Sequence, residues 1–234
     1  MIEDLPSYIS ITFLSTTFLT VGFLLAAIRQ SVLNRIATKV FVAVLAFWMV
    51  FEATLALAGF HRVTGAFPPR VFAFAAMPAI GFILVYLIFF RKQFVEQLPL
   101  KLLTLLHIVR IPVEIVLLWL FQQGQVPVEM TFEGGNFDIL SGITAPIIYF
   151  LAFRNGNVNR PLLIVWNIVA LLLLINIVTT AILAFPSPFQ QIAFDQPNLA
   201  VTYFPFIWLP AVIVPIVFFS HLAALVKLIT GKDK

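Results

Sequence analysis

Seven long apolar segments divide this chain, and they constrain its fold more than any other feature. They cover residues 8–28, 40–60, 71–90, 102–121, 137–153, 161–184 and 201–226. A helix needs about 20 mainly apolar residues to cross a bilayer. We therefore predict an all-α integral membrane protein with seven transmembrane helices. The fifth segment, 137–153, has only 17 residues and lies at the lower limit for a crossing.

The composition supports this class of protein. Hydrophobic residues make up 62% of the chain and charged residues 10%, against about 25% charged residues in soluble domains. These values exclude a soluble domain, a disordered chain and a nucleic-acid-binding module, despite the net charge of +4. The connections between segments are all short, so we predict one transmembrane domain over residues 1–234.

The distribution of basic residues predicts the orientation. With seven crossings, 11 basic residues fall on one side of the membrane and only Arg62 and Arg70 on the other. The 11 are Arg29, Arg35, Lys39, Arg91, Lys92, Lys101, Arg154, Arg160, Lys227, Lys232 and Lys234. Basic residues concentrate in cytoplasmic loops. We expect the N-terminus outside and the C-terminus in the cytoplasm, in an inner or plasma membrane.

Three charged residues fall near the middle of predicted spans: Glu52, Arg110 and Glu114. A charge at that depth costs several kcal/mol and usually faces the bundle interior. At ~1.5 Å rise per residue, Arg110 lies within ~2 Å of the midplane, and both glutamates lie within a few ångströms of it. The sequence therefore predicts one charged layer. His107 shares the helix face of Arg110 and Glu114, and Pro112 interrupts the backbone hydrogen bonds there.

This layer leads to several functional hypotheses. The first is a small carrier, channel or ligand-binding protein with a polar intramembrane site at Glu52, His107, Arg110 and Glu114, to which Asn167 and Asn176 of the sixth span add polar groups. Arg110 then holds a small anion or keeps one acid ionised, while the other acid exchanges a proton. The alternative is an accessory or structural subunit whose buried charges only lock helices together. A further alternative is a lipid-, quinone- or haem-binding membrane enzyme or redox subunit.

Cofactor and metal chemistry receive less support from the sequence. His107 and His221 lie at similar depth and are candidate ligands of one b-type haem, but their spacing constrains little else, and we predict no cofactor. On the predicted outer side, oxygen ligands that could attract Ca²⁺ surround Gly134 and Gly135: Glu129, Glu133, Asn136 and Asp138. They do not match a calcium-binding loop, so a solvated acidic loop is the preferred interpretation. With no cysteine, disulfides and thiolate sites are excluded.

The expected activity and partners follow from these observations. No phosphate-binding loop, no nucleophile–base pair and no dinucleotide fingerprint is present, which argues against an enzyme. The expected partners are the lipid bilayer, a small anion or a proton, and other membrane subunits or a second copy of the chain.

Overall fold

The structure, a computed structural model, describes residues 1–31, 35–63, 65–92 and 94–230, and these residues form helices without β-strands. The seven main helices are α1 (Ser7–Gln30), α2 (Arg35–Leu57), α3 (Val71–Phe89), α4 (Leu100–Gln122), α5 (Ile139–Ala152), α6 (Arg160–Leu183) and α7 (Leu209–Thr230). Each helix coincides with one apolar segment of the sequence. Lys232 and Lys234, counted above for the orientation, lie outside the described residues.

Six of these helices, all but α5, are long and apolar enough to cross a membrane. The chain is therefore a helical membrane protein. α5 has 14 residues and is ~21 Å long at ~1.5 Å per residue, shorter than the ~30 Å hydrocarbon core. The count of seven crossings and the orientation stay predictions.

Helices α4 and α7 form the centre of the bundle. In their most apolar stretches 56% and 61% of residues are buried, against 17% in α2 and in α3. α4 packs against α1, α5 and α7, and α6 packs against both α5 and α7. Side chains near the middle of α4 and α7 consequently face protein on most sides, which is where buried polar groups find partners.

Both central helices are irregular near their prolines. α4 contains a 3₁₀ turn at His107–Val109, which ends three residues before Pro112, as expected where proline removes a backbone donor. α7 begins at Leu209 with a π-helical turn that runs to Ile213. The predicted seventh span, 201–226, therefore starts eight residues too early, because the residues before Leu209 form turns.

Helix α5 lies along the first half of α4 only. Asp138, directly before α5, contacts Arg110 near the middle of α4, whereas Ala152 at its end packs in a cluster with Leu100 at the start of α4. Residues 123–138 therefore return from the end of α4 into the bundle, over ~18 Å at ~1.5 Å per helical residue. Close packing fixes this pairing, since a Cβ added at Gly142 of α5 would lie 2.8 Å from Ile111 Cγ1.

Candidate functional site

Arg110 is the centre of a buried polar cluster and is only 2% exposed. Its Nε donates to Asp138 Oδ2 at 2.6 Å, and its Nη2 donates to Asp138 Oδ1. Nη2 also donates to the carbonyl oxygen of Ala170 at 3.1 Å, and Nη1 lies 3.1 Å from His221 Nε2. The bidentate pairing neutralises the guanidinium with a carboxylate of ideal shape. Arg110 thus joins α4 to the start of α5, to α6 and to α7.

The contacts of His221 define its protonation. A guanidinium has only donors, so His221 Nε2 must accept from Arg110. Nδ1 then carries the proton and donates to Asn167 Oδ1 at 2.9 Å. The Asn167 amide in turn donates to the carbonyl oxygen of Leu163 at 2.8 Å. This chain holds a neutral His221 beside the guanidinium, and each polar group in it has a partner.

His107 stacks on His221 with ring centroids 3.8 Å apart and an angle of 19° between the planes. Its Nε2 lies 3.3 Å from Ser220 Oγ, and its edge meets the Trp166 ring. A haem would need the two imidazole nitrogens to face each other across the iron. Stacked rings that bond elsewhere do not fit that requirement.

Glu114 lies one turn from Arg110 but is not its counter-ion. Its Oε2 accepts a hydrogen bond from Asn136 Nδ2 at 2.6 Å. Asn136 also donates to the carbonyl oxygen of Met130, and its own Oδ1 accepts from the backbone N–H of Asp138. Asn136 therefore fixes Glu114 and Asp138 beside each other. Within the described residues no cation forms an ion pair with Glu114.

The structure does not bring Glu52 to Arg110. Glu52 Oε2 instead lies 3.0 Å from His61 Nε2, and both side chains are fully buried. His61 lies in the short turn directly after α2. The predicted three-charge layer is thus divided into two separate groups, Arg110 with Asp138 and Glu114, and Glu52 with His61. The depth of Glu52 was inferred from its helix, but depth alone does not fix which neighbour it faces.

Three other predicted candidates lie away from the cluster. Asn176 is exposed on α6, where its carbonyl oxygen accepts from the Thr180 hydroxyl. In the acidic segment Glu133 is exposed and Glu129 half-buried, while Asp138 is buried on Arg110. In the described part of the chain, no group of three histidines or acids is arranged to hold a metal ion.

Asp138 is the functional candidate that sequence reasoning assigned to the wrong place. The sequence favours a solvated acidic loop for it, yet Asp138 is 4% exposed and carries the charge that balances Arg110. The available signal was the short fifth apolar segment. A carboxylate at the start of a helix too short to cross the membrane can lie at the depth of another helix's midpoint.

A cleft of about 340 Å³ leads to this cluster from the side of the bundle. Its walls come from α3, α4, α6 and α7 and are almost entirely apolar, with Leu174, Val178 and Val217 among them. Arg110, Glu114 and Asp138 contribute the charged groups. We call this space the α3–α6 cleft, because those two helices flank it. It combines an apolar body with a few convergent polar groups, as small-molecule sites do.

A family model described as a domain of unknown function, DUF8737, matches residues 67–229, more than half of the chain. The chain belongs to this family. Comparisons with curated proteins and with solved structures find no match. The DUF8737 region contains α3 to α7, and with them Arg110, Asp138 and all walls of the α3–α6 cleft. The Glu52–His61 pair precedes it.

Proposed function

We propose that this protein is a small membrane carrier or ligand-binding protein whose site is the α3–α6 cleft. The observation that carries the proposal is that an apolar cleft of about 340 Å³ reaches three charged side chains, Arg110, Glu114 and Asp138. Buried charges are costly in a membrane interior and are a mark of substrate, ion or proton sites.

The three charged residues take different roles in this proposal. Arg110 and Asp138 cancel each other's charge and form a fixed framework, held by His221 and the Ala170 carbonyl. Glu114 has no cationic partner among the described residues, so it is the acid that exchanges a proton or a hydrogen bond with a ligand. This division keeps the earlier hypothesis that Arg110 holds one acid ionised, with Asp138 in place of Glu52.

The proposed topology has seven crossings, an outside N-terminus and a cytoplasmic C-terminus, in an inner or plasma membrane. The fifth crossing combines the irregular segment 123–138 with α5, which together run the length of α4. Irregular backbone is tolerated at membrane depth when protein surrounds it. The excess of 11 basic residues over two supports the orientation.

The competing function is a structural subunit whose charges only lock helices. The observation in its favour is that Arg110 already has four hydrogen bonds and is almost fully buried. The two functions differ in whether the cleft admits a molecule.

An iodophenyl diazirine, an apolar photolabel without a polar head group (the headless label), tests whether the cleft admits a molecule. The label is added to membranes that contain the protein. We expect it to insert at Val217, which is 2% exposed but lines the cleft, and not at Leu228, which is 4% exposed on the same helix outside it. Leu174→Trp fills the cleft and should reduce insertion at Val217. If Val217 is labelled no more than Leu228, the cleft is closed and the structural function is favoured.

A further inference from the structure

The α3–α6 cleft opens towards lipid. α3 and α6 both lie beside α7 but make little contact with each other. The residues at the mouth are apolar and exposed: Met77 is 61% and Ile80 43% exposed on α3, and Ile175 is 46% exposed on α6. These positions lie within the membrane-crossing stretches of both helices. A molecule that reaches the mouth therefore comes from the bilayer.

Two uncharged polar residues line the cleft, Thr179 and Asn198. The Thr179 hydroxyl donates to the carbonyl oxygen of Ile175 at 2.8 Å, and the Asn198 amide donates to the carbonyl oxygen of Ala181 at 3.2 Å. Asn198 Oδ1 is buried without a partner among the described residues, but it carries no charge that would select an ion. The walls further in are aliphatic, with Leu174, Val178 and Val217. Moving a hydrocarbon chain from water to such walls stabilises a complex by about 0.8 kcal/mol per CH₂ group. A ligand that comes from the bilayer gains almost none of this free energy, because its chain is already surrounded by hydrocarbon. The selectivity must come from the polar end.

The polar end favours a neutral head group. The positive charge of Arg110 is balanced by Asp138, and Glu114 lies beside them. Because the Arg110–Asp138 pair carries no net charge, neither an anion nor a cation finds an unpaired opposite charge in it. The four hydrogen bonds of Arg110 use four of its five N–H groups within the described residues. One donor therefore remains, on Nη1, and the Glu114 side chain, one helical turn further along α4, lines the same cleft.

We propose that the α3–α6 cleft binds a neutral, lipid-soluble molecule that enters from the bilayer between α3 and α6 and places a head-group oxygen at Arg110 and Glu114. This proposal rests on the proposed function and specifies the class of ligand. The oxygen accepts a hydrogen bond from the remaining Arg110 N–H, and the hydrocarbon tail lies along α6 and α7 towards the mouth.

Three photoactivatable probes with the same diazirine-bearing alkyl chain test the proposal: a fatty alcohol, an alkyl sulfonate and an alkyl trimethylammonium. We expect the alcohol to label Val217 about fivefold more than either charged probe, the effect of about one hydrogen bond. Ile80→Trp narrows the mouth and should lower this labelling. The matched variant Ile168→Trp changes an exposed residue of α6 outside the cleft and should leave it unchanged.

The outcomes separate this proposal from the proposed function. Equal or stronger labelling by a charged probe overturns the neutral head group, and labelling that Ile80→Trp leaves unchanged overturns passage between α3 and α6. In both cases the proposed function stands if the headless photolabel still reaches Val217. If the headless label does not reach Val217, the proposed function fails as well.

Discussion

Arg110→Met leaves the carboxylate of Asp138 buried without its counter-ion. The same change also removes the donors to His221 and to the Ala170 carbonyl. Adding Asp138→Leu removes the stranded charge and changes neither of those two losses. Breaking a buried pair by deleting one partner costs about 3–5 kcal/mol, largely because of the charge that remains. The double variant should therefore be more stable than Arg110→Met alone by about 3 kcal/mol.

The free energy of unfolding can be measured by titrating the protein with sodium dodecyl sulfate in mixed micelles and following helix content by circular dichroism. The control is the exposed pair Arg91 and Glu96, whose Nε and Oε1 atoms lie 3.1 Å apart with side chains 42% and 29% exposed. Exposed pairs contribute about 0–1 kcal/mol, so Arg91→Met and Arg91→Met/Glu96→Leu should differ by less than ~1 kcal/mol. If the Arg110→Met/Asp138→Leu protein is no more stable than Arg110→Met, the two residues do not form the buried pair described above.

The same double variant distinguishes a lock from a ligand site. If the charges only join helices, a folded double variant should bind the photolabels as the wild-type protein does. If Arg110 supplies the donor to a head group, the double variant should still admit the headless label but lose its preference for the fatty alcohol. The stability measurement shows that the variant is folded, so the labelling result is independent of it.

Three further predictions concern other parts of the molecule. Gly142→Ala should destabilise the protein by about 1–3 kcal/mol through overpacking against Ile111, whereas Gly22→Ala, in open space on α1, should be neutral or stabilising by up to ~1 kcal/mol in the same titration. An infrared band of a protonated carboxyl should be lost in Glu114→Gln, because Glu114 bonds to Asn136 and pairs with no cation among the described residues. A band that survives Glu114→Gln contradicts the role given to Glu114. Because the chain has no cysteine, single introduced cysteines report on which side of the membrane a loop lies. A membrane-impermeant maleimide should label Gln123→Cys in intact cells, but Asn157→Cys only after the cells are permeabilised. The reverse labelling pattern would contradict the proposed orientation.

The helices were predictable from sequence because each depends on a local property, the length of an apolar run. The observed bounds of α1 to α6 lie within a few residues of the predicted segments. Part of the cluster was also predictable from a local property, the helical periodicity. It places three residues of one helix on the same side: His107, Arg110 and Glu114. His107 and Asn167 were assigned to the same interior and do lie beside His221.

The pairing between helices was not predictable in the same way. Sequence position gives the depth of a residue along its helix, but not the direction in which it faces its neighbours. Glu52 and Arg110 were therefore placed in one layer, although Glu52 faces His61 in the turn after its own helix. The partner of Arg110 was not predicted because Asp138 stands at the outer start of the predicted fifth span, 137–153, whereas the structure places it beside Arg110 near the middle of α4.

The short helix α5 and the buried pair explain each other. A 14-residue helix leaves about one third of a ~30 Å hydrocarbon core uncrossed, and the irregular segment 123–138 must cover that distance. Its polar backbone groups need partners there, and Asn136 supplies several by bonding Met130, Glu114 and Asp138. The same fold-back places the Asp138 carboxylate at the depth of Arg110. An arginine at that depth is stable only if an acid is delivered to it, so extending α5 at its start by one regular turn would withdraw Asp138 by ~5 Å and leave Arg110 unpaired.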